Sequence, residues 1–501
     1  MEPLNISRQN EIINLLAYAK SKKMEIEPLY LMAKKHFDIC QIKGNFYDST
    51  GVLLKTKLIN KLAAVIMDSS IDWAHIEPPR YVASEVSEDD KLQLERQTKV
   101  VFDDIRNLSN FELEKTKILD DYLLGTTAFK VEYTGNYENP TRFRHAPIMN
   151  TYVVEGADGR VNTVFYKNEK MRLPNMRTIW TKGTFTNVVE NKEYDVWECT
   201  VYNQVKRNYD YIVALDEGLK EVIYREEQAQ TPWVVARWGP FEHNSPYGAG
   251  PKVISIMELF SLRKAKNSIN KIRDYQSDPP LIGYGDRALA LAAKFIPGRM
   301  AYLGPKDNVT EVRAFNNGAN PQMEMFDLQE HKELLNEIFY VDAISSIKNI
   351  DDLKNVTATA VQVAVTKFAE QINPVYSRMQ KEMLEVIVMK VRDNNLKANI
   401  ISNNGIEYLK NNTKLSVRYH NAITMAQDQE DIQKNNMFIQ DIVSKFGPQV
   451  AIAMIKPDLY IKLTADRFGI TRKEFNLGED LSKRLEEIQQ AAIPPEQEVQ
   501  Q

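Results

Sequence analysis

The side chains able to do chemistry in this chain are charged ones, and they are segregated by sign. Six basic residues, Lys252, Arg263, Lys264, Lys266, Lys271 and Arg273, lie in one run from 252 to 274 and meet only Glu258 and Asp274. Further on, "DLQEHKELLNEIFYVDAI" (327–344) carries Asp327, Glu330, Glu333, Glu337 and Asp342, an acidic counterpart to the basic run. Opposite charges arrayed at helical spacing do the chemistry of pairing between rods. The bland alternative for each is a solvated surface helix. Catalytic groupings are a different matter. No G-x-x-x-x-G-K-[ST] loop, no H-E-x-x-H and no Cys-x-x-Cys occurs, and the six histidines (36, 75, 145, 243, 331, 420) are scattered. "GYG" (283–285) lacks the third glycine of a dinucleotide fingerprint, and Asp351–Asp352 are adjacent instead of converging from separate elements. The expectation is no catalytic residue, no metal and no cofactor.

The elements that must position these charges can be read from periodicity. Helical spacing marks 8–37 and again about 84–129, the latter interrupted near Asn107–Asn110 and ending at Gly125, a suitable C-cap. From about 128 to 236 short β-branched and aromatic segments ("NTVFYK", "YDVWECTVYNQV", "YIVALD") predict an antiparallel β-unit. Next comes "RWGPFEHNSPYGAGP" (237–251). Gly248 and Gly250 permit a sharp turn after Tyr247, and Pro251 suits the first position of a helix. That helix, 251–276, would be ~39 Å long at ~1.5 Å per residue, with Leu262, Ala265, Ile269 and Ile272 on one stripe.

The glycine- and proline-punctuated 277–326 separates the basic helix from the acidic one, so the two rods predict a helical hairpin with a small cap at its far end. In one chain such a hairpin leaves much surface unburied. In a ring of copies, the basic flank of one can meet the acidic flank of the next. After the polar "SSIKNIDDLKNVTA" (345–358), helical spacing resumes over 359–395, with either Thr359 ("TAVQ") or Thr357 as cap. Pro374 either kinks this helix or divides it. "KLSVRY" (414–419) predicts a strand, helices follow to about 490, and "AAIPPEQEVQQ" has the composition of a disordered tail.

Size and charge bound the rest. The chain has 501 residues, 43% hydrophobic and 26% charged, with net charge −4 and pI about 6.0. That is material for about three domains, and it argues against a polyanion binder that is basic all over. A protein past which DNA slides can still be acidic, because tight phosphate contacts act as brakes. The cysteines, Cys40 and Cys199, fit a reducing compartment without a disulfide framework. No signal-like N-terminus and no apolar stretch of bilayer length is present, so a soluble intracellular protein with no membrane contact is expected.

Several ordered blocks resemble one family, the portal or head-to-tail connecting proteins of short-tailed bacteriophages. They are "RW" (237–238) with "YGAGP" (247–251), "DPP" (Asp278, Pro279, Pro280), "VTATAV" (356–361), "NPVYSRMQKEMLEVIV" (373–388), "VRYHNAITMAQ" (417–427) and "DRFGITRKEFNLGEDLSKRLEE" (466–487). Ala360, Asn421 and Ile423 depart from the family pattern.

The resemblance implies an α+β, mainly α, portal fold forming a ring, dodecameric in the family, at one capsid vertex. It implies a wing over 1–250 (helical 1–127, β-unit about 128–240), stem helices at 251–276 and 327–344, and a clip at 277–326 that docks the packaging ATPase. A tunnel loop would span 345–357, a long wing helix and return strand 358–420, a crown 421–490 and a tail 491–501. It implies a homo-oligomer without enzymatic activity, assembled in the host cytoplasm and located in the virion. Its partners would be double-stranded DNA, the terminase large subunit, the major capsid protein, and tail adaptor and internal core or scaffolding proteins. Arg263, Lys264, Lys266, Lys271, Arg273, Glu330, Glu333 and Glu337 would line subunit contacts or the channel. Lys348, Asn349 and Lys354 would touch phosphates weakly, with Asp351 and Asp352 limiting retention; ordinary solvation is the alternative. The rival readings are a non-portal virion scaffold or adaptor, and a nucleic-acid-processing enzyme.

Overall fold

The computed structural model describes residues 6–38, 48–79, 81–82, 86–186, 188–242, 245–277, 281–283, 300–302, 312–314, 321–341, 358–411 and 414–447. Of these, 53% are helical and 20% strand, the α+β, mainly α, balance expected. Lys348, Asn349, Lys354, Asp278, Pro279, Pro280 and everything after Gly447 lie outside the described residues.

The first helix, α1 (Ile6–Phe37), places Ile12, Leu16 and Ala19 against the five-stranded sheet and Ile26, Tyr30 and Ala33 against the turn that leads out of the β-unit. A second helix, α2 (Thr50–Val65), falls in a stretch to which sequence periodicity assigns nothing. The helical region near 84–129 resolves into α3 (Glu88–Asp103), a π-turn at Asp104–Leu108 and α4 (Phe111–Tyr122). The Ser87 side chain accepts from the Asp90 amide (3.1 Å) to start α3. The C-cap of α4 is Leu123 and not Gly125, which lies two residues further on and at φ 137 turns the chain into the β-unit.

That unit contains two antiparallel sheets. β2 (Thr126–Tyr133) is central in the order β3-β2-β9, with β3 at Thr141–Ala146 and β9 at Trp233–Arg237. A five-stranded meander runs from β4 (Thr151–Glu155) through β5 (Val161–Met171), β6 (Tyr194–Asn203) and β7 (Asn208–Ala214) to β8 (Val222–Gln228). A short helix, α5 (Leu173–Ile179), interrupts it.

The basic rod is not continuous from 251. It consists of α6 (Pro251–Ile254), a break at Ser255, and α7 (Ile256–Ser277), so the uninterrupted helix is ~33 Å long. The Ser255 hydroxyl donates to the Pro251 carbonyl (2.6 Å), a local bond that competes with helix propagation. The acidic helix also differs in its bounds. It is α8, Pro321–Ile338, beginning within the expected cap segment and ending before the expected 344. A proline with φ preset for the first helical position accounts for the start. The end is made by Tyr340 at φ 54, with Val341 N–H donating to the Asn336 carbonyl (2.7 Å). Between the two helices, β10 (Leu281–Gly283) pairs in parallel with β11 (Met300–Tyr302) and antiparallel with β12 (Val312–Ala314).

The next helix starts at Ala358, so Thr359 lies inside it instead of capping it. It runs through Pro374 as α9 (Ala358–Met379), continues as a π-turn at Gln380–Leu384 and then as α10 (Glu385–Lys397). A division into two helices at Pro374 is therefore excluded. A short helix, α11 (Glu407–Asn411), precedes β13 (Ser416–Tyr419), which pairs antiparallel with β1 (Ala74–Glu77). This pairing closes the body across most of the described chain. Asn421, a departure from the family pattern, caps α12 (Ala422–Phe446) in a reciprocal box with Thr424. The largest core joins α2, α3, α4 and β2 to Leu335 and Phe339 at the end of α8 and to Phe368, Ile372, Tyr376, Met383 and Val391 of the long helix.

Candidate functional site: the glycine corner and the charged hairpin

The corner before the basic helix is built from close backbone contact. A Cβ on Gly250 would lie 2.3 Å from the Leu123 carbonyl oxygen, and one on Gly248 would lie 2.5 Å from that of Gly125. Only glycine lets these strands of backbone meet. Bonds on every side then fix the corner. Gly250 N–H donates to Leu124 O (3.0 Å), Gly248 N–H to Thr126 Oγ1 (2.8 Å), and the Tyr30 hydroxyl to Gly248 O (2.6 Å). Tyr247 is buried, its hydroxyl accepting from Val153 N–H (3.2 Å). Pro251 follows at the first helical position. These residues make a pinned corner, and Lys252 pins it further. Its buried ammonium donates to Asp120 Oδ1 (2.8 Å) and to the Asp120 carbonyl (3.0 Å).

From this corner the two charged helices form an antiparallel hairpin. His331 Nδ1 lies 2.7 Å from Glu258 Oε2 near its base. Towards its far end Met325 and Leu328 of α8 share a cavity of about 360 Å³ with Ile269, Asn270 and Arg273 of α7. The expected stripe faces inward: Leu262, Ala265 and Ile269 are buried and Ile272 is half-buried, with Leu259 buried one turn earlier.

The basic residues divide. Arg263 is buried, with Nε 3.3 Å from Asp48 Oδ2 and an amino group donating to His36 O (3.1 Å). Lys266 also pairs with Asp48 and donates to Thr50 Oγ1 (2.9 Å). Burial pushes the Asp48 carboxyl up, but Lys266 and Thr50 outweigh it and hold the group below its ordinary value. Lys264, Lys271 and Arg273 remain exposed. On α8, Glu330, Glu333 and Glu337 are exposed, and Phe326 is 82% exposed. Their spacing of 4, 3 and 4 residues places Phe326 and the three carboxylates on one face. On α7, Met257 (72% exposed), Lys264 and Lys271 recur at intervals of 7 and share a face in the same way. The α8 stripe is thus acidic, the α7 stripe is basic up to Asp274, three residues past Lys271, and each has an apolar residue at its start.

The sequence profile of the bacteriophage head to tail connecting proteins matches residues 40–475, from before α2 to beyond α12. The chain belongs to that family. No curated protein matches it closely enough to add to this. The connector is therefore a structural phage protein, located in the virion and interacting with capsid and tail components. No helix among the described residues is long and apolar enough to cross a membrane.

Sequence reasoning missed the charges that hold the connector's β-unit to itself and to the long helix. Glu198 on β6 is completely buried and accepts from Arg144 on β3 (2.8 Å), from the Tyr211 hydroxyl (2.7 Å) and from Lys130 on β2, joining the two sheets. Burial would raise its carboxyl; Arg144 and Lys130 prevail and bring it to about 2. Arg237, the arginine of the "RW" block, donates to Glu382 Oε1 (2.6 Å) in the π-turn of the long helix and to the Gly159 carbonyl (2.7 Å). Its backbone N–H donates to Glu382 Oε2 (2.8 Å). A faint signal existed: Lys130 lies between Phe129 and Val131, and Glu198 between Trp197 and Cys199, in strands with buried apolar residues.

Proposed function

We propose that this connector is a portal protein, a ring of copies at one capsid vertex through which double-stranded DNA enters during packaging and leaves at ejection. The observation that carries the reading is the hairpin. It stands on a pinned corner, and its two outer stripes have opposite sign and exposed apolar ends, surface that one chain leaves unburied. In a ring, neighbouring copies supply the flank partners, with Lys264, Lys271 and Arg273 meeting the acidic face of Glu330, Glu333 and Glu337 or facing the channel. Arg263 and Lys266 support that surface from inside through Asp48. A dodecamer is the expected count by membership of the family. The three-stranded sheet between the hairpin helices, with Asp278, Pro279 and Pro280 at its entry, forms the clip that docks the terminase large subunit, and ATP hydrolysis belongs to that partner. The β-unit and long helix form the wing towards the major capsid protein. Residues from 421 onward form the crown towards internal core or scaffolding proteins, and a tail adaptor binds outside.

The test is the mass and shape of purified protein, by light scattering and negative-stain imaging. A large ring with a central hole is expected; a monomer under assembly conditions refutes the reading and favours a scaffold or adaptor role. Within a ring, Lys348→Ala with Lys354→Ala should change DNA packaging or retention and leave assembly intact. Loss of the ring in that variant contradicts the loop assignment.

A further inference from the structure

One half-buried lysine at the edge of the core pairs with no carboxylate among the described residues. Lys61 projects from α2 beside Leu58 and Leu62, which are buried in the main core. Its ammonium sits 3.5 Å from the centroid of the Phe368 ring on α9 and donates to the carbonyl of Tyr340, just past the end of α8 (3.3 Å). No described carboxylate pairs with it. Lys55, on the same helix, shows the contrast: Asp38 (2.8 Å) and Asp120 (3.0 Å) both hold it. Tyr340 is itself in the left-handed region at φ 54, an unfavourable backbone state for a residue with a side chain. Its ring lies 6.2 Å from Trp238 on one side and 6.2 Å from Phe368 on the other. The junction therefore joins the end of the hairpin, the "RW" block and the long helix through rings, one carbonyl and one uncompensated cation.

We propose that Lys61 is a release latch: it seats the end of α8 against α9 by contacts weak enough that this junction opens before the surrounding core does. An apolar side chain of similar length would fill the same space without carrying a charge into it, and would hold the junction more tightly. Burial alone lowers the Lys61 ammonium to about 7. Tyr340, raised by burial, is the titratable group it touches, and no charged group contributes to the shift. The sign follows. A lysine whose folded pKa lies below its unfolded one leaves the junction weakest below pH 7, where both states hold the proton. The junction then tightens as pH rises through 7 and the folded state alone releases it.

The latch does not depend on the ring, and its test works on the full chain in either oligomeric state. Hydrogen exchange, corrected for intrinsic rates, is measured on peptides covering 336–341 and 367–372 at pH 6 and pH 9. In Lys61→Met both peptides should exchange about tenfold more slowly than in the wild type at pH 6, with a melting temperature at least equal to wild type. The wild type should gain protection between pH 6 and pH 9. Lys61→Arg, charged throughout, should show no such gain. Faster exchange or a lower melting temperature in Lys61→Met would make Lys61 an ordinary brace and overturn the proposal. So would wild-type protection that is the same at both pH values.

Discussion

Replacing Glu198 with glutamine tests whether the two sheets of the β-unit are held together by charge. The carboxylate is completely buried and receives Lys130, Arg144, Tyr211 and Asn168. The substitution keeps the shape and removes the charge, leaving Lys130 and Arg144 with Glu132 alone. Breaking a buried pair from one side costs about 3–5 kcal/mol. The depressed carboxyl agrees in size: about 2 in place of 4.5 corresponds to about 3 kcal/mol. Because the folded value is depressed, this stability is present above the ordinary carboxylate range and is lost as pH falls towards 2. Urea denaturation followed by tryptophan fluorescence reports on the right place, since Trp180 donates to the Tyr211 hydroxyl (2.9 Å). At pH 7 Glu198→Gln should lose about 3–5 kcal/mol, and its stability should fall less steeply than that of the wild type between pH 5 and pH 3. A loss under about 1 kcal/mol, or an unchanged acid limb, would refute the argument that charge and not packing joins these sheets.

Arg237→Ala should cost about 2–4 kcal/mol in chemical denaturation, because it leaves Glu382, whose side chain is 13% exposed, with Arg378 alone. Arg237→Lys should recover little, since an ammonium cannot reproduce the two-pronged contact. Gly250→Ala should cost about 3 kcal/mol or prevent folding, measured as melting temperature and soluble yield. Gly135→Ala is its control: nothing lies within 4 Å of the added Cβ, so only φ +80 opposes it, at about 1 kcal/mol. Phe326→Ser and Glu330→Lys with Glu333→Lys should leave the melting temperature of the unassembled chain almost unchanged and lower the assembled mass seen by light scattering. An unaltered mass in both would remove the outer stripe of α8 from the contact between copies.

Where periodicity and turn chemistry act locally, the fold was legible. Pro251 and the aromatic strands of the β-unit both act over a few residues, and the structure follows them. The errors share a cause, which is competition decided by one bond or by a distant neighbour. Ser255 interrupts a run with good helical spacing, its hydroxyl sharing the Pro251 carbonyl with its own N–H (3.0 Å). Pro374 fails to end a helix because Phe368, Ile372 and Tyr376 keep that face in the core. The site was half legible. Sequence treated the basic residues of 252–273 as one group, and could not say that Arg263 answers Asp48, 215 positions away, or that Lys252 answers Asp120, 132 positions away.

That division of charge is itself informative about function. Lys252, Arg263 and Lys266 are the basic residues nearest the body, and each has a carboxylate from elsewhere in the chain. Lys264, Lys271 and Arg273 are exposed, as are Glu330, Glu333 and Glu337 across the hairpin. Exposed pairs contribute about 0–1 kcal/mol to a single chain, so stability of the monomer gives no reason to sort cations onto one helix and anions onto the other. Mixed signs along each helix, at i and i+4, would serve solubility and helix stability better. Sorting by helix weakens those local pairs, and the proposed contact between copies is what would repay it. A connector interacts with capsid and tail components. The inner charges fix where the hairpin stands, and the outer ones are left for what it meets.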